Sequence, residues 1–210
     1  MKIVIFGATG LTGQQLVKQA IAAEHRIVVF ARNPSKLDIK SENLTIVKEE
    51  LSDQDSIEKT IDGADAVISL LGPRRSSDNR PLTQGMQNII KAMKMKDVRR
   101  LVSSSTLSVK DPADKPSFNV KLLVGIIKTT IHAAYDDIIG VADEVRGSDL
   151  DWTIVRVAML NNKPKTGTVR TGYVGTGQVG LSISHADFAD FMLKQVEDRR
   201  FLRQAPAISN

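Results

Sequence analysis

A short apolar run, Ile3-Val4-Ile5-Phe6, passes directly into Gly7-Ala8-Thr9-Gly10-Leu11-Thr12-Gly13, and the helical period of Leu11 to Ala23 begins inside that turn. A strand that reverses into a helix over so few residues needs glycine for three reasons. The backbone must turn tightly, approach a ligand within contact, and let the new helix pack closely on the sheet. The helix start offers free N–H groups and a partial positive charge, which suit a pyrophosphate. Gly7, Thr9, Gly10, Leu11, Thr12 and Gly13 are therefore the expected dinucleotide-binding segment, because the strand-to-helix context gives an otherwise weak pattern its meaning.

The rest of the chain continues the alternation. Strand-length runs at Arg26 to Ala31, Leu44 to Val47, Ala66 to Leu71, Arg99 to Ser104 and Trp152 to Val157 are separated by helical stretches. Those stretches cover about Asp53 to Ile61, Pro81 to Met95 and a long region ending near Gly147. Runs that are apolar throughout suit strands covered on both faces, hence a doubly wound parallel sheet of the α/β class, the Rossmann fold. At 210 residues one domain spanning 1–210 is the economical reading. Five glycines between Thr166 and Gly180 predict short irregular strands and turns in a small C-terminal, substrate-side insertion. A last helix is expected from near Ser184, with Asp187 in its first turn, to about Glu197.

The longest apolar region, Val120 to Val141, contains Lys121, Lys128, His132, Asp136 and Asp137. A bilayer span needs about 20 mostly apolar residues. The region reads as a buried helix, and no membrane partner is expected. Met1-Lys2 leads straight into a strand without the features of a signal peptide, so the expected location is the cytoplasm. With no cysteine and three histidines, disulfides, thiolate chemistry and a metal site are not expected. The net charge of +5 and pI near 9.5 raise the question of nucleic acid. The basic residues are spread along the chain, with only short clusters at Arg74-Arg75, Arg99-Arg100 and Arg199-Arg200, so such a partner is set aside.

In this architecture the end of the second strand meets the adenosine ribose. An acidic residue there accepts from a 2′-hydroxyl, whereas an arginine suits a 2′-phosphate. Here Ile27-Val28-Val29-Phe30-Ala31 ends in Arg32, with Lys36 in the same loop and no Asp or Glu at that position. Paired guanidinium donors favour NADP over NAD. Two solvated surface cations remain the alternative reading.

Taken together, these segments resemble the atypical short-chain dehydrogenase/reductases of the NmrA-like and flavin reductase (biliverdin reductase B-like) type. The resemblance also rests on Phe30-Ala31-Arg32-Asn33-Pro34-Ser35-Lys36-Leu37, Leu70-Leu71-Gly72, Ser103-Ser104-Ser105, Leu150-Asp151-Trp152-Thr153-Ile154-Val155-Arg156 and Ser184-His185-Ala186-Asp187-Phe188-Ala189-Asp190-Phe191. It implies a sheet of about seven strands with the nicotinamide across their carboxyl ends. It further implies that Glu50 and Leu51 border the adenine, that Leu71 and Gly72 border the ribose and nicotinamide, and that Val157, Ala158 and Met159 border the nicotinamide. Ser104 falls on the cofactor side by the same resemblance. Arg74 and Arg75 either reach a phosphate or acidic substrate or form a basic surface loop.

Most short-chain dehydrogenases place a lysine four residues after a tyrosine, so that the lysine lowers the phenol pKa for proton transfer. Here Tyr135 is followed at that place by Ile139 and Tyr173 by Gly177. Alcohol oxidation by that route is not expected, nor is a nucleotide-sugar epimerase or dehydratase. The resemblance makes Ser105, at the end of the fifth strand, the candidate catalytic residue, with strand capping as the alternative. The biliverdin reductase-like branch carries histidines at positions aligned with Ala142 and Met159, both replaced here. Hydride transfer to a flavin or quinone demands less of the protein, since the cofactor supplies the chemistry. The expectation is thus an NADPH-dependent reductase with a flavin-like or quinone-like small-molecule acceptor. The alternative is a redox sensor that binds the dinucleotide without turnover and acts through a protein partner.

Overall fold

The computed structural model describes residues 1–72 and 80–210. Its first strand shows how the sheet is covered. β1 (Lys2–Phe6) alternates, so that Ile3 and Ile5 enter one apolar cluster and Val4 and Phe6 the other, all four without solvent exposure. Successive side chains of a strand point to opposite faces, and a sheet buried on both needs apolar residues at every position. The chain continues through α1 (Leu11–Ala22), β2 (Arg26–Phe30), β3 (Leu44–Val47), α2 (Gln54–Ile61), β4 (Ala66–Ser69) and α3 (Pro81–Met95). It then forms β5 (Arg100–Thr106), α4 (Phe118–Thr130), α5 (His132–Gly147), β6 (Asp151–Val157), β7 (Met159–Asn161) and β8 (Arg170–Gly172). β9 (Ser182–Ser184), α6 (His185–Lys194) and β10 (Ala207–Ser209) complete it.

The main sheet runs β3-β2-β1-β4-β5-β6-β10-β8, parallel except for the β10–β8 pair, and β7 and β9 form a separate two-stranded sheet. α1 and α6 cover one face through Leu16, Val17, Phe188 and Met192. α2, α3 and α5 cover the other through Ile57, Met86, Ile89, Met93 and Val145. The strand order reverses between β1 and β4, and the crevice outside the carboxyl ends at such a switch point is where open α/β sheets bind ligands.

Two expectations need correction. The main sheet has eight strands rather than about seven, because β8 and β10 are only three residues each and carry no readable period. The region Val120 to Val141 is not one buried helix. The chain breaks at Ile131 (φ −136°, ψ 51°), and α4 contains no buried residue. Apolar composition alone reads as burial, yet only a neighbouring surface produces it. α4 has such a surface on one side only, where Val120 packs near Leu107, Val174 and Ala207.

Candidate functional site

The glycine turn is built as its three roles require. Gly7 has φ +83°, and a side chain there would press a Cβ to 2.5 Å from the Leu70 carbonyl oxygen of the neighbouring β4 end. At Gly13 a Cβ would come within 2.4 Å of the Gly7 carbonyl oxygen and 2.6 Å of Ala8 Cα, so α1 lies directly on the turn. At Gly10 the nearest atom would be 3.7 Å away, which leaves the cleft side open to a ligand. The first helical bond of α1 runs from Gln14 N–H to the Gly10 carbonyl at 2.9 Å. The N–H groups of Leu11, Thr12 and Gly13 therefore have no intrahelical acceptor, and no side chain caps this end. A cradle this bare, with the helix dipole behind it, fits a pyrophosphate.

A cavity of about 360 Å³ opens from the turn along the carboxyl ends of β1, β4, β5 and β6. Gly7, Gly10, Leu11, Thr12 and Gly13 form its floor. Leu71, Gly72, Ser104, Ser105 and Val157, expected from the sequence, all line it. Leu82, Ile138 and Val141 close it from α3 and α5, and Leu160, His185 and Phe188 from the opposite side. Among the described lining residues His185 is the one titratable group. Its Nδ1 lies 2.7 Å from Thr12 Oγ1, and burial pushes its imidazole below the ordinary value, so it is neutral at pH 7. Hydroxyl and ring share one hydrogen bond whose donor is set by the tautomer.

The remaining expected residues among those described stand outside the cavity wall. The parallel register sets Phe6 beside Phe30, so Arg32 leaves β2 two residues further on, level with the glycine turn. Arg32 and Lys36 are exposed and have no ion-pair partner among the described residues. Glu50 and Leu51 follow β3. The Leu51 carbonyl accepts from Asn88 Nδ2 at 2.7 Å, and its side chain occupies the space left by Gly85 on α3. Thr9 accepts through its carbonyl from Gln14 Nε2 at 3.2 Å. Ala158 packs beside Leu107 and Val174, while Met159 is 53% exposed. Strand alternation turns Leu160, rather than Met159, toward the cleft. Arg74 and Arg75 lie outside the described residues.

Ser104 and Ser105 make no side-chain hydrogen bond among the described residues, whereas Thr106 Oγ1 accepts from Ser108 N–H at 3.3 Å. The capping role thus falls to Thr106, and the two serine hydroxyls are available to a ligand. Both tyrosines are engaged elsewhere. The Tyr173 hydroxyl donates to Gln204 Oε1 at 2.7 Å, and Lys128 Nζ sits 5.8 Å from the centre of the Tyr135 ring. His132 pairs with Asp136 at 3.0 Å. Among the described residues no group of three or more His, Asp or Glu is placed to hold a metal ion.

Buried charges fix the loops around the cleft. Arg156, fully buried on β6, forms a two-pronged pair with Asp114 at 2.7 and 2.8 Å and donates to the Val109 and Ala205 carbonyls. Asp114 also accepts from Val174 N–H at 2.9 Å. Burial alone would raise the Asp114 carboxyl, but the Arg156 guanidinium together with the Asp111 and Val174 N–H groups outweighs it and holds the group below its ordinary value. Asp187, one turn into α6, bonds the Ser184 hydroxyl, Thr166 and Gly167 N–H and Asn210 Nδ2, which ties the loop after β7 to the start of the helix. Asp137 of α5 accepts from Leu82 and Thr83 N–H at 3.0 and 2.8 Å and so caps α3, whose own N-cap Arg80 supplies no side-chain bond.

Sheet order, switch-point cleft and glycine turn define a dinucleotide-binding α/β protein. A family model described as NAD(P)H-binding matches residues 7–199. The chain belongs to this NAD(P)H-binding family. It is 27% identical over 126 residues to the photosystem II assembly factor Ycf39 of Synechocystis, covering 58% of this chain and 38% of that one. It is 35% identical over 102 residues to phenylcoumaran benzylic ether reductase IRL1 of Ginkgo biloba, covering 44% of this chain and 31% of the relative. The chain thus spans about a third of the length of these curated relatives. A short-chain dehydrogenase/reductase from Veillonella parvula, solved in complex with NADP, superposes with TM-score 0.80 at 20% identity over 100% of this chain and 94% of that one. The oxidoreductase ylbE from Lactococcus lactis gives TM-score 0.78 at 22% identity over 100% and 91%. Both share the fold.

His185, Leu82, Ile138, Val141, Leu160 and Phe188 are cleft residues that the sequence reasoning missed. The Ser184 cap and Asp187 did mark the start of α6, and with it His185 at the first helical position. That this position meets Thr12, 173 residues earlier, has no local signal.

Proposed function

We propose that the chain is an NADPH-dependent reductase that delivers hydride to a flat, conjugated acceptor of the flavin or quinone kind. The observation that carries this reading is the wall of the cleft. Leu71, Leu82, Ile138, Val141, Leu160 and Phe188 are apolar, and the polar side chains beside them are the Thr12, Ser104, Ser105 and Thr106 hydroxyls and a neutral histidine. Such a wall suits ring stacking with water excluded and, among the described residues, gives no fixed charge to an anionic substrate. The 360 Å³ volume is in the range of small-molecule sites.

The reduced nicotinamide, when bound, supplies the hydride. The chain's own residues do the rest. The open N–H groups at the start of α1 hold the pyrophosphate, and Arg32 receives the 2′-phosphate with paired donors. The Ser104 and Ser105 hydroxyls orient a carbonyl of the acceptor, and Ser105 relays to it the proton that balances the hydride, recovering its own from water. The reductase named among the relatives supports a reductive direction for this fold branch.

The test follows NADPH absorbance with and without FMN or a simple benzoquinone. Sustained loss only with acceptor is expected. Arg32→Ala should weaken NADPH binding by about tenfold or more, the worth of hydrogen bonds to a charged group, and leave NADH binding unchanged. NADPH binding with no turnover across a broad acceptor panel would replace the reductase by a redox sensor acting through a protein partner.

A further inference from the structure

Among the described residues α4 is the one long helix without a buried residue, and its residues divide into two sides. Val120, Leu123, Val124 and Ile127 are half-buried and face the body of the protein. Phe118 (79% exposed), Leu122 (56%) and Ile126 (52%) recur every fourth residue and form an open apolar stripe about 80° wide on the outer side. Lys121 and Lys128, seven residues apart, flank that stripe on one edge, and α4 contains no Asp or Glu. The carboxylates just before it are turned inward. Asp111 accepts from the Ala113 and Ala205 N–H groups, and Asp114 is committed to Arg156. Lys115 is exposed in the same stretch, so the charge presented outward here is positive. The Thr129 and Thr130 hydroxyls donate back to the Gly125 and Ile126 carbonyls and ask nothing of the surroundings.

From this pattern we infer that α4 is an interfacial anchor that lays the protein on an anionic lipid surface, with Phe118, Leu122 and Ile126 in the acyl boundary and Lys115, Lys121 and Lys128 among the headgroups. An apolar stripe edged by lysines is the arrangement that binds in the plane of a bilayer, where buried apolar area and attraction to anionic lipid add. The charge argues against a second copy of this chain as occupant. An antiparallel two-fold contact through the stripe would bring Lys121 and Lys128 of both copies to one seam. Three side chains also fall well short of the roughly 800 Å² per partner that a stable interface buries. Val120 of the helix and Ala158, which adjoins the cleft residue Val157, pack against the same small cluster of Leu107, Val174 and Ala207, so docking holds the cleft near the lipid. The inference does not depend on which acceptor the cleft takes.

Flotation of the full chain with vesicles of phosphatidylcholine alone, or mixed with phosphatidylglycerol, tests it. The protein should float with the anionic vesicles at low salt and be released at high salt. Leu122→Ser with Ile126→Ser, and separately Lys121→Glu with Lys128→Glu, should each weaken binding by about tenfold or more. Both variants should keep the parent melting temperature and NADPH affinity, because these side chains stand outside core and cleft. Three results would overturn the inference: no flotation of the parent, flotation that neither variant weakens, or a dimer by light scattering that the Leu122→Ser and Ile126→Ser changes dissolve.

Discussion

Gly10→Ala and Gly13→Ala, three residues apart in one turn, should fail in opposite ways. At Gly13 a methyl would meet the Gly7 carbonyl oxygen at 2.4 Å and Ala8 Cα and C at 2.6 and 2.7 Å, all backbone atoms that cannot rotate aside. α1 must then lift from the turn, and its packing through Leu16, Val17 and Ala20 is disturbed. Overpacking of this kind costs about 1–3 kcal/mol. At about 2–4 °C per kcal/mol for a chain of this size, the melting temperature should fall by a few degrees or more. At Gly10 the backbone is already in a region open to any residue (φ −76°, ψ 167°), and a methyl would touch nothing closer than 3.7 Å. The fold should tolerate it within about 0.5 kcal/mol, the ordinary range for a substitution that disturbs no such feature. The methyl would, however, stand where the pyrophosphate comes down on the N–H groups of Leu11 to Gly13. Loss of hydrogen bonds to a charged group, about 1.5–3 kcal/mol, weakens NADPH by about 10- to 150-fold. Thermal melts without cofactor and fluorescence titration with NADPH read the two effects separately. A Gly10→Ala protein that binds NADPH like the parent, or a Gly13→Ala protein that melts like it, would refute the assignment of roles.

Two further changes probe the charges around the cleft. Asp114→Ala strands the Arg156 guanidinium, which has no exposed surface, and should cost about 3–5 kcal/mol in urea unfolding; an unchanged midpoint would show that the pair does not hold the loops. His185 has its folded pKa depressed by burial, so the folded state favours the neutral ring. Its contribution is fully present above the unfolded value of 6.5 and is lost as pH falls below it. Melting temperature followed from neutral to mildly acidic pH should therefore fall less in His185→Gln than in the parent, and parallel curves would argue against a half-buried, neutral His185.

The sequence made the sheet readable where strands are covered on both faces. β1 and β2 are four-residue runs of Ile, Val and Phe after one basic residue, β4 and β6 carry the shorter apolar stretches Ala66-Val67-Ile68 and Ile154-Val155, and the glycine turn announces its own geometry. The three-residue strands β8 and β10 escape notice because their pairing partners, not their composition, make them strands. α4 misleads for the opposite reason: its apolar residues suit a core, yet Phe118, Leu122 and Ile126 stand exposed. In the site, residues adjacent in sequence to the strand ends were legible, such as Leu71, Ser105 and Val157. Those contributed by helix faces, such as Leu82, Ile138 and His185, depend on how α3, α5 and α6 lean over the sheet, which no local pattern records.

The cap that Asp137 places on α3 joins two helices that are 55 residues apart along the chain. Thr83 adds a second tie, since its hydroxyl donates to the Asp137 carboxylate at 2.7 Å and rests where Gly140 has no side chain. Neither helix can fray at this corner alone. If α5 unwinds at Asp137, the leading N–H groups of α3 lose their acceptor. If α3 unwinds, a carboxylate is left buried without its donors. Leu82, Ile138 and Val141, which close one side of the cleft, therefore open and close together as a single unit of local unfolding, and the cleft is rigid on this side for as long as the corner holds.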